Sequence, residues 1–129
     1  MQKFDGYLNI DPGNMDPLEH GEVFVTEDGA ETDLDIGHYE RFIDTNLNKN
    51  SSRTTGKLYQ EIFERERKGV YHGRTVQVIS HVASLVKEKI KDGFASSNAD
   101  ISLVEIGGTV GDMENEYLIE SVRQLRQEL

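Results

Sequence analysis

The sequence predicts an α/β domain built on a parallel sheet. Two short apolar runs, Thr75–Ile79 and Ile101–Ile106, have the composition of buried strands. The first leads into Val82, Leu85, Val86 and Ile90 at helical spacing; the second is broken by Gly107-Gly108 before a helix from about Glu116. Strands that alternate with helices in this way make βαβ units, whose strands lie parallel.

The first third, through about Asp35, is rich in Gly, Pro and Asp, with turn signals at Asp11-Pro12-Gly13 and Asp16-Pro17. Within it, Lys3 and Asp5 would bring a cation and a carboxylate to the end of a strand. The runs Glu22–Thr26 and Glu31–Leu34 flank Glu27-Asp28-Gly29-Ala30, and Asp-Gly between extended runs predicts a hairpin. Ile36–Ile43 reads as a short helix.

After the polar loop Asn46–Arg53, Thr54 is placed to cap a helix that carries Leu58, Tyr59, Ile62 and Phe63 on one face and ends at Gly69. Glu61 with Arg65 and Glu64 with Lys68 are i,i+4 pairs in the favourable order. Gly93–Asn98 separates the next helix from the second apolar run. An α/β domain ordinarily opens on a core strand, so the loop-rich start leads to the expectation that the domain is incomplete in this sequence.

At 129 residues the chain suits one domain. A net charge of −10 argues against general binding to nucleic acid or anionic membrane, because both would repel it. The absence of cysteine excludes disulfides, thiolate metal sites and cysteine nucleophiles. Neither the start, Met1-Gln2-Lys3-Phe4-Asp5, nor any later run has the apolar length of a signal core or membrane span. A cytoplasmic protein is the expectation.

Glu105 is the most informative site candidate. It interrupts an apolar strand just before Gly107, Gly108 and Gly111, and ligands of open α/β sheets gather at the carboxyl ends of strands. The pattern is equally met by a strand-end carboxylate bonded to backbone amides. Asp33 and Asp35 share a face if extended, which leaves Asp35 at the start of the next helix, either as its N-cap or, with Glu105, as a ligand of a hard cation such as Mg2+. Gln77, inside the first predicted strand, can hydrogen-bond a base or sit on an exposed face. Asp112, Met113 and Glu114 form a ligand loop or a polar helix entry. The histidines His20, His38, His72 and His81 lack zinc-type spacing, and Thr55-Gly56-Lys57-Leu58 lacks the Ser or Thr of a phosphate-binding loop.

Longer segments carry a resemblance. Lys3-Phe4-Asp5, Tyr7–Gly13, His20–Val25, Asp28–Asp35, Gly37–Phe42, Thr54–Lys57, Thr75–Ile79 and Val104–Asp112 closely resemble the CTP synthase family, in the same order and nearly end to end. The resemblance implies an incomplete P-loop-NTPase-like, dethiobiotin-synthetase-like amidoligase domain. The phosphate loop is expected before Lys3, and the remaining synthetase residues and a glutaminase domain after Leu129. It further implies that ATP phosphorylates the 4-oxygen of UTP and that ammonia from glutamine displaces the phosphate to give CTP.

On that resemblance, Asp35 and Glu105 match Mg2+ ligands, Asp35 and Lys3 match the ATP site, and Lys3 is the catalytic lysine near the transferred phosphate. Asp112, Met113, Glu114 and Gln77 match the CTP and UTP site, and His20, Pro17 and Val23 the ammonia path. A homotetramer is implied for the whole enzyme and inactivity for this chain alone. The sequence departs from the family at Gly6 and Ser80, usually Pro, at His72, usually Leu, and at Glu116-Tyr117, usually an apolar-Pro pair, which puts coupling and feedback in question. Two other readings remain: another ATP-dependent amidoligase, and a non-catalytic nucleotide-binding or assembly module.

Overall fold

Strand β1 (Gln2–Asp5) is the centre of the molecule, in a computed structural model that describes all 129 residues. It pairs in parallel with β4 (Ser52–Thr54) on one side and β5 (Val104–Ile106) on the other, giving the sheet order β4-β1-β5. Between β1 and β4 the chain forms α1 (Pro17–His20), the antiparallel hairpin of β2 (Val23–Val25) and β3 (Glu31–Asp33), and α2 (Leu34–Ile43). The crossover from β4 to β5 contains α3 (Thr55–Arg67) and α4 (Ala83–Ala95), and α5 (Met113–Glu128) follows β5.

The alternation of side chains along β1 decides what each face of the sheet holds. Phe4 is 1% exposed and packs with Leu58 and Ile62 of α3, Leu85, Val86 and Ile90 of α4, and Tyr117, Leu118 and Leu125 of α5. Gln2 points the same way, and its Nε2 donates to the Ile90 carbonyl at 3.1 Å. Lys3 and Asp5 therefore point to the opposite face, where the hairpin and α2 lie. Register places Lys3 beside Ser52 and Glu105, so the Glu105 side chain leaves the sheet on the Lys3 face.

Local chemistry sets the helix starts. Thr54 caps α3, its hydroxyl accepting from Lys57 N at 3.0 Å, as its position predicts. For α2 the cap is Asp33, whose Oδ1 accepts from Asp35 N at 2.6 Å; Asp35 lies inside the first turn, with its carboxylate free for other partners. Gly56 lets α3 begin against the loop after β1, since a Cβ there would meet the Asn9 carbonyl oxygen at 2.6 Å.

The predicted hairpin, the helix after Asp35 and the strand before Gly107 are present. Thr75–Ile79 is not a strand. Val78–Val82 forms a π-helical turn that runs into α4, because Val78, Val82 and Val86, spaced by four, continue the helical period rather than a period of two. β1 already has a strand on each side. Helix α5 starts at Met113, earlier than Glu116, so Met113 and Glu114 form its first turn instead of a loop. Arg65 pairs with Glu61 at 2.6 Å and reaches across to Glu88 of α4 at 2.6 and 3.0 Å, whereas Glu64 and Lys68 form no ion pair. No helix is long and apolar enough to cross a membrane.

Candidate functional site

The carboxyl end of β1 carries a cluster built around one ammonium group. Lys3 Nζ donates to Asp33 Oδ2 at 2.6 Å and to Asp35 Oδ2 at 2.5 Å, and Asp5 Oδ1 stands 3.5 Å away. The hairpin makes this possible. Asp33 ends β3 and caps α2 with one oxygen, which leaves its other oxygen for Lys3 and swings Asp35 to the same side.

Burial gives the cluster its electrostatic character. Desolvation works to lower the Lys3 pKa, but the hydrogen bonds to Asp33 and Asp35 and the fields of Asp5 and Asp33 outweigh it, so the net shift is upward and the amine stays charged. Asp5 goes the other way: desolvation dominates the pull of Lys3 and raises its carboxyl to about 6. Its Oδ2 is buried without any hydrogen-bond partner. Gly107 closes over this group, and a Cβ on Gly107 would lie on Asp5 Oδ1 and 3.6 Å from Lys3 Cε. Tyr7 also borders the cluster, its phenol pKa raised by burial and by the charges of Asp5 and Asp33, while its ring meets His20 edge-on at 5.0 Å.

The sequence-derived candidates divide into three groups. Lys3, Asp35 and Glu105 share one face at the strand ends, with the Asp35 side chain 47% exposed and Glu105 open to solvent. Asp112, Met113 and Glu114 form the cap position and first turn of α5, on the other side of the Gly107–Gly108 turn. Met113 and Glu114 line a cavity of about 420 Å³ with Gly6, Thr55, Tyr59 and Tyr117. Gln77 is exposed just before the π-helical turn whose Val78 and Ile79 line the same cavity, with its N–H donating to His81 Nδ1 at 3.0 Å. Pro17 and His20 lie on α1, and Val23 pairs with Asp33 in the hairpin, which brings this third group to the border of the cluster.

Sequence reasoning gave Asp5 little weight and passed over Tyr7 and the Thr55–Tyr117 contact. Thr55 Oγ1 donates to the Asp5 carbonyl at 3.2 Å, and Tyr117 OH stands 2.6 Å from the same hydroxyl. The signal for Asp5 was available in the period of two, which puts it beside Lys3 on any strand.

Carboxyl groups of Asp5, Asp33 and Asp35 face the single ammonium of Lys3, and Glu105 leaves β5 on the same face of the sheet. That surplus of anionic oxygen suits a hard divalent cation, and the accessible members are Asp35 and Glu105. The aspartates converge on the Lys3 ammonium, and no group of three or more His, Asp or Glu side chains is arranged to hold a metal ion by itself. Mg2+ held by one or two carboxylates and substrate phosphates needs no such trio.

A parallel α/β sheet with its charged cluster at the carboxyl ends of the strands has the layout in which domains of the open-sheet class bind ligands. The whole chain, residues 1–129, matches the family described as CTP synthase N-terminus, and it belongs to that family. It is 62% identical over 129 residues to a CTP synthase of Lactococcus lactis subsp. cremoris. The identity is 57% to those of Lactobacillus delbrueckii subsp. bulgaricus and Halalkalibacterium halodurans. All of the chain is covered in each case, and it spans 24% of the length of these relatives.

Proposed function

We propose that the chain supplies part of the synthetase site of a cytoplasmic, tetrameric CTP synthase, in which ATP activates the 4-oxygen of UTP and ammonia from glutamine replaces it. The observation that carries this reading is the Lys3 cluster at the strand ends, with Glu105 in register beside it, in a chain of this family. The phosphate loop and the glutaminase domain belong to the parts of the enzyme outside these residues.

In this reading Asp35 and Glu105 hold Mg2+, and Asp35 also borders ATP. When bound there, Mg2+ would supply Lewis-acid neutralisation of phosphate charge. Lys3 contributes a permanent positive charge, since its neighbours keep it protonated, and that charge offsets the negative charge on the transferred phosphoryl group. Asp33 orients Lys3 and, by capping α2, fixes Asp35.

Met113 and Glu114 line the cavity that takes the pyrimidine nucleotide, UTP or CTP, and Asp112 precedes them as the cap residue of α5. Gln77 immediately precedes Val78 and Ile79, which line the same cavity. Val23, beside Asp33, and His20, against Tyr7, flank the approach for ammonia, with Pro17 at the start of the same short helix.

The test uses a full-length protein that carries this sequence, assayed for conversion of UTP to CTP with ATP, Mg2+ and an ammonium salt. Asp35→Asn and Glu105→Gln are expected to lower synthesis by about 10²-fold or more while glutamine hydrolysis persists. Wild-type synthesis by either variant would overturn the metal assignment.

A further inference from the structure

We propose that Asp5 is a positioning residue for Lys3: its carboxylate is the seat that takes the Lys3 ammonium when a cation claims Asp35. The proposal rests on the reading of Asp35 as a cation ligand. It begins from an anomaly. The Asp5 side chain is 8% exposed, and neither of its oxygens is well bonded: Oδ2 is buried with no partner, and Oδ1 stands 3.5 Å from Lys3 Nζ. A buried carboxylate oxygen left in that state is costly, and the few such groups in folded proteins require an explanation.

The geometry supplies one. An ammonium group has three donors, and Lys3 commits two of them to Asp33 Oδ2 and Asp35 Oδ2. The third carboxylate, Asp5, stands 3.5 Å from Nζ, beyond hydrogen-bond length. A charged N–H···O bond is about 2.8 Å long, so a shift of Nζ of about 1 Å completes the contact with Oδ1 and gives the enclosed carboxylate its hydrogen bond. Asp33 can keep its bond during that movement, because its other oxygen is fixed by the backbone of α2. Asp35 cannot serve Lys3 and a divalent cation equally well, since the two positive charges repel across it. Of the carboxylates facing Lys3, Asp35 is half-exposed and Asp5 is enclosed. The cation therefore takes Asp35, and the lysine moves inward to Asp5.

Gly107 is part of the same device. It packs on Asp5 Oδ1 and on the Lys3 stem, so it holds the carboxylate in the path of the shift. Its backbone is not in the left-handed region, so alanine is conformationally tolerated there. The added methyl would push the Asp5 carboxylate away from Lys3 without changing any charge.

The experiment titrates a full-length protein that carries this sequence with Mn2+, with and without ATP, and follows bound Mn2+ by electron paramagnetic resonance. Asp35→Asn tests the underlying reading: wild-type affinity in that variant, or no Mn2+ bound by the wild-type chain, overturns the reading and the proposal together. With that reading intact, Asp5→Asn is expected to weaken Mn2+ binding about tenfold in the presence of Lys3 and by less than about twofold in a Lys3→Met background. A residue that acts through another loses its effect when the other is removed. Gly107→Ala is expected to reproduce the loss with all charges present, and serves as the test should Asp5→Asn fail to fold. Equal effects of Asp5→Asn in both backgrounds, or wild-type affinity in Gly107→Ala, would show that Asp5 acts only by its charge and overturn the proposal.

Discussion

Lys3 and Glu105 are register partners across β1 and β5, and their side chains leave the sheet on the same face. One is buried and held by aspartates; the other is open to solvent. That contrast divides the site into a fixed cation inside and a free carboxylate outside: register sets the shared face, and the hairpin and α2 cover Lys3. The two strands are far apart in sequence, and parallel pairing is what brings their ends together.

The buried carboxyl of Asp5 makes stability depend on pH. Its pKa is raised to about 6 in the folded chain from an ordinary value of 3.8, chiefly by desolvation. Between those values the native state keeps a proton that the unfolded state has lost, so stability falls as pH rises through the window and stays reduced above it. A shift of this size corresponds to about 3 kcal/mol. Lys3 has a raised pKa, so its contribution is complete below its unfolded value and is lost only in strong alkali. Urea unfolding is expected to show higher stability at pH 5 than at pH 7, with the slope abolished in Asp5→Asn. Below that window the trend reverses, because carboxylates held low by their partners, such as Glu128 beside Lys87 and Lys91, become protonated.

The Thr55–Tyr117 contact ties α5 to the start of α3 inside the core. Thr55 already donates to the Asp5 carbonyl, so the 2.6 Å bond is donated by Tyr117. Thr55→Val removes the acceptor and leaves a buried phenol unsatisfied, at an expected cost of about 1–3 kcal/mol. Tyr117→Phe in the same chain removes the stranded hydroxyl. The double variant is therefore expected to be more stable than Thr55→Val alone in urea unfolding; a double variant less stable than either single would show that the hydroxyls have other partners.

How much of this was legible in the sequence depended on how local the determining interaction is. Thr54 could be read as a cap because its partner, Lys57 N, lies three residues away. The Asp-Gly hairpin and the strand before Gly107 were legible for the same reason. Thr75–Ile79 was misread because β-branched composition favours a strand, whereas the continuation of α4 through Val78 and Val82 wins when packing is included. Asp35 and Glu105 were visible as isolated acids. Their common neighbour Lys3 lies at the other end of the chain from Glu105, and no spacing rule joins them. The place of Asp5 beside Lys3 was legible from the period of two, but its enclosure was not, because that depends on Gly107, which folding brings to it.

Gly56 tests the close approach between α3 and the loop after β1. The carbonyl oxygens of Leu8 and Asn9 occupy the space that a Cβ would fill, and backbone atoms cannot swing aside as a side chain does. Gly56→Ala is expected to cost about 1–3 kcal/mol despite the better helix propensity of alanine. The measurement is the urea midpoint, and a stabilised variant would show that the loop yields freely.

The Arg65 network joins α3 to α4 and gives a prediction with a salt dependence. Arg65 holds Glu88 through two hydrogen bonds of 2.6 and 3.0 Å while also bonding Glu61, and Lys89 meets Glu61 at 2.9 Å. These side chains are partly exposed, so solvent screening limits the value of each pair. The two-pronged geometry and the shared partners place the network at the upper end of the range for surface pairs. Arg65→Met preserves most of the aliphatic stem, so the loss reports the charge. It is expected to cost about 1 kcal/mol at low salt and less than half of that at 1 M salt, where the Debye length falls to about 3 Å. Thermal unfolding of the two chains at both salt concentrations measures the difference directly. A loss that does not change with salt would mean that Arg65 acts through packing of its stem between the helices and not through its charge.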